Sequence, residues 1–318
     1  MSAPVIAVDG LGGDDAPRVA VEGAIEAARS GLRVVLVGPA DSLRDTIARA
    51  GAEHLANLTI HHAPEGVSMD ETPLAALRRK PRASIQVACE LVASGAAVGA
   101  YSAGHTGASL LAAHATFGVS AGVERPALVV VVPTRRGQSL LLDVGANADC
   151  RPSHLAQFGV MGAAFARTFL RVAAPRVGLL SIGEEAGKGN ELTREAHALL
   201  LNMPLDFVGN IDAAQWFHGI ADVVVCDGFT GNIALKVGEA VVEMLSPVVS
   251  RGNSDDAWAQ FDHANAGGAP LIGVNGLLVV GHGRATSRAI ASGIRLTARL
   301  AQDGIVSQVA EAVGRVLK

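Results

Sequence analysis

Short runs of β-branched and aliphatic residues recur along this chain at Val5–Asp9, Val34–Gly38, Leu58–His61, Val98–Ser102, Ala127–Val132, Leu140–Asp143, Val177–Ile182, Asp206–Val208, Val223–Asp227 and Leu277–Val280. Between them lie alanine-rich stretches with apolar residues at helical spacing, near 17–29, 41–51, 84–94, 107–117, 153–170, 190–201, 231–250 and 285–301. Strands that are continuously apolar are buried on both faces, and strands that alternate with helices are joined by crossovers. The pattern therefore predicts an α/β protein with a mainly parallel sheet covered by helices on both faces, a three-layer α/β/α arrangement. The expectation is one large catalytic domain over 1–318, with a smaller helical subdomain around 231–270.

Composition narrows the function. With 49% apolar residues in 318, the chain can bury a substantial core. A net charge of −4 and eleven aromatic residues exclude an electrostatic or stacking footprint for nucleic acid. Cys89, Cys150 and Cys226 lack metal-ligand spacing and fit small core residues in a reducing compartment. The first residues show no signal-peptide pattern and no apolar run reaches spanning length, so a cytoplasmic protein is expected.

In sheets of this class, ligands bind beyond the carboxyl ends of the strands, which directs attention to the loops there. After Val177–Ile182 comes Gly183-Glu-Glu-Ala-Gly-Lys-Gly189, then Asn190 and a helical pattern. Lys188 stands between Gly187 and Gly189 in a chain with four lysines against twenty-two arginines. A compact ammonium in a glycine loop at a helix N-terminus suits an anion; the alternative is a plain turn with a solvated lysine. The loop is not a nucleotide-binding P-loop, since the spacing is one residue short and Gly189 stands where a hydroxyl is needed. The loop Asp9–Pro17 likewise lacks the third glycine of the dinucleotide fingerprint, so no nicotinamide cofactor is expected. Gly104, His105, Thr106 and Gly107 open a helix and form a candidate oxyanion cradle, with His105 as donor or general acid or as a structural histidine. Asp143, Asn147 and Asp149 match no metal-binding loop, so turn and cap roles are expected and no metal. Asp227, Gly228, Gly231 and Asn232 follow another strand; Asn232 near a helix start offers an amide to a carbonyl or phosphate oxygen, or is an ordinary helix-start residue.

Taken together, these loops resemble those of the PlsX family of bacterial phosphate acyltransferases. The resemblance rests on Asp9–Pro17, Met69-Asp-Glu-Thr-Pro-Leu, Ser102–Ala108, Gly122-Val-Glu-Arg-Pro-Ala, Leu142–Cys150, Ile182-Gly-Glu-Glu with Lys188-Gly-Asn-Glu-Leu-Thr, Cys226-Asp-Gly-Phe with Gly231-Asn232, and Gly267–Gly276. It implies a fold related to isopropylmalate dehydrogenases and phosphotransacetylases, a homodimer, no cofactor, and transfer of an acyl group from acyl-[acyl-carrier-protein] to inorganic phosphate for phospholipid synthesis. Family members usually carry His where Asp15 stands and Asn where His105 stands. The stretch from Val248 to Gly267 is shorter and more polar than is usual in the family, with Asp255 and Asp256 in place of an apolar, basic tip, so peripheral membrane association is expected to be weak at most.

Phosphate is already a nucleophile at neutral pH, and a thiol with a reference pKa near ~8.5 leaves without a strong acid, so no Ser-His-Asp triad is required. Lys188, Thr106 and loop amides are the candidate phosphate cradle, with Asn232 or His105 the candidate oxyanion donor. The alternatives are a phosphotransacetylase using coenzyme A, a metal- and nicotinamide-dependent oxidative decarboxylase on the same fold, for which no clear loop is present, and a non-catalytic phosphate or acyl-carrier binding protein. The basic run Arg78, Arg79, Lys80 and Arg82 could steer an acidic carrier protein or be a solvated loop. Val237, Ala240, Val241, Met244, Leu245 and Val248 share one apolar helix face, expected to pack on the core or on a partner subunit.

Overall fold

The computed structural model describes residues 4–249 and 267–316, the side chains of 247–249 excepted. The chain divides into two compact units, one built from residues 4–118 and 267–304 and the other from 119–249 and 305–316. In chain order the first stretch forms β1 (Val5–Asp9), α1 (Arg18–Arg29), β2 (Arg33–Gly38), α2 (Ala40–Arg49), β3 (Leu58–His62), α3 (Pro73–Arg79), α4 (Ser84–Ala93), β4 (Gly99–Ser102) and α5 (Thr106–Phe117). The second unit follows with β5 (Ala127–Thr134), β6 (Gly137–Leu142), α6 (Pro152–Phe165), β7 (Arg176–Leu180), α7 (Glu191–Leu200), β8 (Asp206–Ile211), α8 (Ala213–Phe217), β9 (Val223–Val225) and α9 (Gly228–Val249). Then β10 (Ala269–Ile272), β11 (Leu278–Val280) and α10 (Ser287–Gln302) complete the first unit, and α11 (Ile305–Val316) returns to the second.

In the first unit the strands lie in the order β3-β2-β1-β4-β11-β10, all parallel except β10, which runs against β11. Ile6, Val8, Leu36 and Tyr101 are buried between the helical layers. Helix α1 turns Val21, Ala24, Ile25 and Ala28 inward and packs on α10, whose Ile290 fills the space beside Gly23. The second unit has the order β5-β6-β9-β7-β8, again parallel except for one strand, β5, which forms a hairpin with β6. Leu140, Leu141, Leu142 and Leu179 are fully buried in it, and α11 covers α6 with Ile305, Val309 and Val313.

The mainly parallel sheet with flanking helices agrees with the alternation of the sequence. Every strand expected from the sequence is present, with ends that coincide or shift by at most three residues. Strand β10 is missing from the sequence reading because it is four residues long and carries Pro270, which cannot donate to a ladder. Helix α11 is missed because valine and Gly314 weaken a helical signal that tertiary burial restores. Helix α9 starts at Gly228, three residues before the expected boundary, so Asn232 stands in its second turn and not at its start. The cause is Asp227, whose carboxylate accepts from Thr230 N at 2.8 Å and from Thr230 Oγ1 at 2.7 Å and so caps the helix early. Val248 and the segment 250–266, on which the reading of a polar tip and part of the helical subdomain rests, lie outside the residues whose side chains are described. No helix among the described residues is long and apolar enough to cross a membrane.

Candidate active site

Loops at the carboxyl ends of the strands are tied down by two buried aspartates, one in each unit. In the first unit Asp9, at the end of β1, accepts from Ser84 Oγ at 2.6 Å, Ser102 Oγ at 2.7 Å and Leu11 N at 3.2 Å. Ser102 Oγ in turn accepts from Gly104 N at 3.0 Å, which fixes the entry to α5. Burial holds the Asp9 carboxyl above the usual carboxylate range, and these hydrogen bonds offset the rise only in part. His105 is the N-cap of α5 and accepts from Gly107 N through Nδ1 at 3.1 Å. Its neutral form then carries the proton on Nε2, which leaves that nitrogen as a donor. Thr106 opens the helix, half-buried.

In the second unit three neighbouring parallel strands, β6, β9 and β7, deliver their loops to the same edge of the sheet. Asp143, following β6, is fully buried and accepts from the backbone N–H groups of Leu128, Gly145, Ala146 and Asn147 and from Asn147 Nδ2. Asp143 and Asn147 are thereby occupied as turn formers, as expected, and Asp149 is exposed. Among the described residues no cluster of His, Cys, Asp or Glu has the makings of a metal site.

The turn that Asp143 shapes presents the Val144 carbonyl to Asn232 Nδ2 at 3.1 Å. One amide hydrogen is used in this way, which sets the orientation of the side chain. The other hydrogen and Oδ1 remain on an exposed side chain. The start of α9 can come this close only because position 231 is glycine: a Cβ there would stand 1.9 Å from the Asp143 carbonyl oxygen. Gly228 N donates to Asn147 O at 2.8 Å and completes the join between the loops after β6 and β9.

The loop after β7 holds Lys188. Lys188 N donates to Glu185 O at 2.9 Å, and the Glu185 carbonyl also accepts from Asn210 Nδ2 at 3.0 Å, anchoring the loop to β8. Asn210 is buried and is itself held by His197 Nδ1 at 2.9 Å. Gly189 has φ +98°, a conformation that suits glycine, and a Cβ there would collide with Thr193 Oγ1. Asn190 caps α7 through Oδ1, 2.9 Å from Thr193 N. Gly187 lies in open space, so nothing steric demands glycine there. The Lys188 side chain is exposed and has no ion pair among the described residues, although Glu184, Glu185 and Glu191 are close in sequence.

Of the residues singled out in the sequence, Lys188, Gly189, Asn190, Asp227, Gly228, Gly231 and Asn232 are thus gathered at one sheet edge of the second unit. Gly104, His105, Thr106 and Gly107 form a helix start of the first unit. The sequence reading did not single out Ser84, Ser102, Asn210 and His197, because a supporting hydrogen bond across 13 to 93 residues leaves no local pattern. Ser181 Oγ is also buried beside Gly189 with no hydrogen-bond partner among the described residues.

Burial and nearby carboxylates push the Cys150 thiol up to about 12, and burial likewise raises Cys89 and Cys226. All three are thiols at neutral pH, poor nucleophiles by comparison with a thiolate. An acyl-cysteine intermediate therefore has no ready residue, whereas an exposed ammonium and an oriented amide suit direct attack by an anion.

The fold is that of the phosphotransacetylases. A solved phosphotransacetylase from Streptococcus pyogenes superposes with a TM-score of 0.66 at 21% identity, over 94% of each chain. The EutD phosphotransacetylase from Staphylococcus aureus gives a TM-score of 0.63 at 15% identity, also over 94% of each. Sequence takes the assignment further: the pattern of the family described as "Fatty acid synthesis protein" matches residues 5–308. The phosphate acyltransferase of Desulforudis audaxviator is 46% identical over 98% of this chain and 96% of its own length, and that of Nitratidesulfovibrio vulgaris (strain DP4) is 44% identical over the same shares. The chain belongs to this family, the PlsX family of phosphate acyltransferases.

Proposed function

We propose that this enzyme transfers a fatty acyl group from the thioester of acyl carrier protein to inorganic phosphate, giving an acyl phosphate for phospholipid synthesis. The observation that supports it most directly is that an exposed Lys188 and an Asn232 amide held by Val144 O follow the adjacent parallel strands β7 and β9, in a chain related end to end to phosphate acyltransferases. A phosphate oxygen attacks the thioester carbonyl carbon, the carbonyl oxygen takes up negative charge, and the carbon–sulfur bond breaks as the thiolate departs. Lys188 with the amides at the start of α7 binds phosphate. The free N–H of Asn232 donates to the developing oxyanion. No acyl-enzyme forms, and no metal or cofactor enters the step.

Carrier protein docks through Arg78 and Arg82. Arg79 and Lys80 belong to the same basic run but are engaged by Glu71, Lys80 Nζ at 2.7 Å and Arg79 at 3.3 Å. The protein acts as a homodimer. Incubation of purified protein with phosphate and either acyl-carrier or acyl-coenzyme-A thioester, with thiol release followed, tests the proposal. Phosphate-dependent release from the carrier thioester is expected. Release from coenzyme A alone would make the protein a phosphotransacetylase, and release from neither would leave a binding protein.

A further inference from the structure

We infer that Ile182, Phe229 and Ile233 form the surface that receives the first methylenes of the acyl chain, and so set the preference for chain length. The inference rests on the reading just given, because it takes the thioester carbonyl to lie at Asn232. Strands β7 and β9 are adjacent and parallel, with Val177 opposite Val223 and Leu179 opposite Val225. Ile182 lies three residues beyond Leu179 and Phe229 four beyond Val225, so both leave the same edge of the sheet. Ile182 is 82% exposed, Phe229 62% and Ile233 48%.

Ile182 and Phe229 stand out because they sit among Gly, Glu, Asp and Thr, and Ile233 lies one turn from Phe229, at the site end of an exposed apolar row that Val237, 57% exposed, continues away from Asn232. Ile182 contributes nothing to the core, which ends at Leu179, and the turn that follows it is made by Gly183 and the Glu185 carbonyl. Phe229 and Ile233 are four residues apart and lie one above the other on α9, and Asn232 is three residues from Phe229 on the neighbouring strip of the same helix. A carbonyl held by Asn232 therefore has an apolar surface within one helical turn, about 5.4 Å. An acyl chain leaving that carbonyl either runs into water or lies along these side chains. Each methylene removed from water strengthens binding by up to about fourfold. A two-carbon acyl group gains almost nothing from such a surface, and a long one gains much.

The test compares thioesters of one carrier that differ only in acyl length, butyryl against palmitoyl, with Ile182→Ser, Phe229→Ala, Ile233→Ser and the triple variant. The replaced side chains are exposed, so the fold is retained. The expected result is a loss of about tenfold or more in kcat/KM for palmitoyl in the triple variant, with butyryl changed less than twofold. Calorimetry of hexadecylphosphonate and butylphosphonate on the wild type is expected to show a more negative heat-capacity change for the long chain, reduced in the triple variant. An equal loss on both thioesters, or an unchanged preference, overturns the inference while leaving the acyltransferase activity standing. A change in subunit mass in the triple variant assigns the surface to a second copy and overturns it as well. If the wild type releases no thiol in the presence of phosphate from either thioester, the function proposed above fails and this inference with it.

Discussion

At the scale of single residues, the site separates groups that hold the structure from groups that face a ligand. In the proposed function Lys188 belongs to the second kind: it is exposed and makes no ion pair among the described residues, so Lys188→Ala is expected to leave the melting temperature unchanged. Its removal lowers turnover on the order of 10²-fold if the ammonium stabilises transition-state charge, as steady-state kinetics with phosphate as the varied substrate will show. Near-normal turnover in a folded variant would remove it from the site. Asn232→Ala has a similar effect on turnover, because the Val144 carbonyl holds the amide in place; an unchanged rate would pass the oxyanion to backbone N–H groups. His105→Asn stays active and folded. In the structure the ring caps α5 by accepting from Gly107 N, and an asparagine oxygen makes the same bond. Complete inactivity of a folded His105→Asn protein would show that imidazole Nε2 takes part in the chemistry.

At the scale of elements, the ends of the strands opposite the site are latched by charge. Arg176, at the start of β7, reaches Asp222 ahead of β9 with Nε at 3.0 Å and NH2 at 2.9 Å, and its backbone N–H adds a third bond at 2.9 Å. Burial alone would raise the Asp222 carboxyl, but the hydrogen bonds and charge of Arg176 outweigh it and hold the group below the usual range. A carboxylate depressed in the fold contributes stability above its unfolded pKa, about 3.9, and loses it as the pH falls through the folded value. Asp222→Asn therefore costs about 1–2 kcal/mol at neutral pH, a figure reduced because Arg176 is partly in water. The melting temperatures of variant and wild type converge below about pH 4. A constant difference across the acid range would show that the ionised form of Asp222 contributes nothing. The docking prediction belongs to the loop after α3: with Arg79 and Lys80 engaged by Glu71, charge reversal of Arg78 and Arg82 raises KM for a carrier-linked thioester and weakens its salt dependence, with little effect on a small one. Equal effects on both would defeat the docking role. Most elements were legible in the sequence where they are continuously apolar or strongly amphipathic, as β1 and α1 are, whereas α11, as long as α1, was not. The glycine loops were legible because turns restrict residue type. The early start of α9 was hidden, since the cap at Asp227 competes with a pattern that favours Gly231, and so was the support of the 183–189 loop by Asn210 and His197, which only the folded chain brings together.

At the scale of the whole molecule, the face of α9 beyond the site is the expected contact with a second copy of the chain. The sequence places Val237, Val241, Met244 and Leu245 on one side of this helix, and the structure leaves all four exposed, so the core is not what that face packs against. Exposed apolar rows of this kind mark association surfaces. A membrane surface is the weaker partner, because a helix resting on anionic lipid carries Lys or Arg along its polar side, whereas α9 carries Glu239 and Glu243 there, with Lys236 bonded to Glu239 at 3.1 Å. A second copy of the chain is the better one, since an isologous contact repeats a single apolar face on both subunits. A homodimer through this face is therefore the expected assembly. Met244→Glu, which introduces a charge that no neighbour on the face can pair, halves the mass in solution or lowers the melting temperature in a concentration-dependent way. Sedimentation with anionic vesicles leaves most of the wild type in the supernatant. A monomeric wild type whose stability is unaffected by Met244→Glu, or tight retention on the vesicles, would give the face to a different partner.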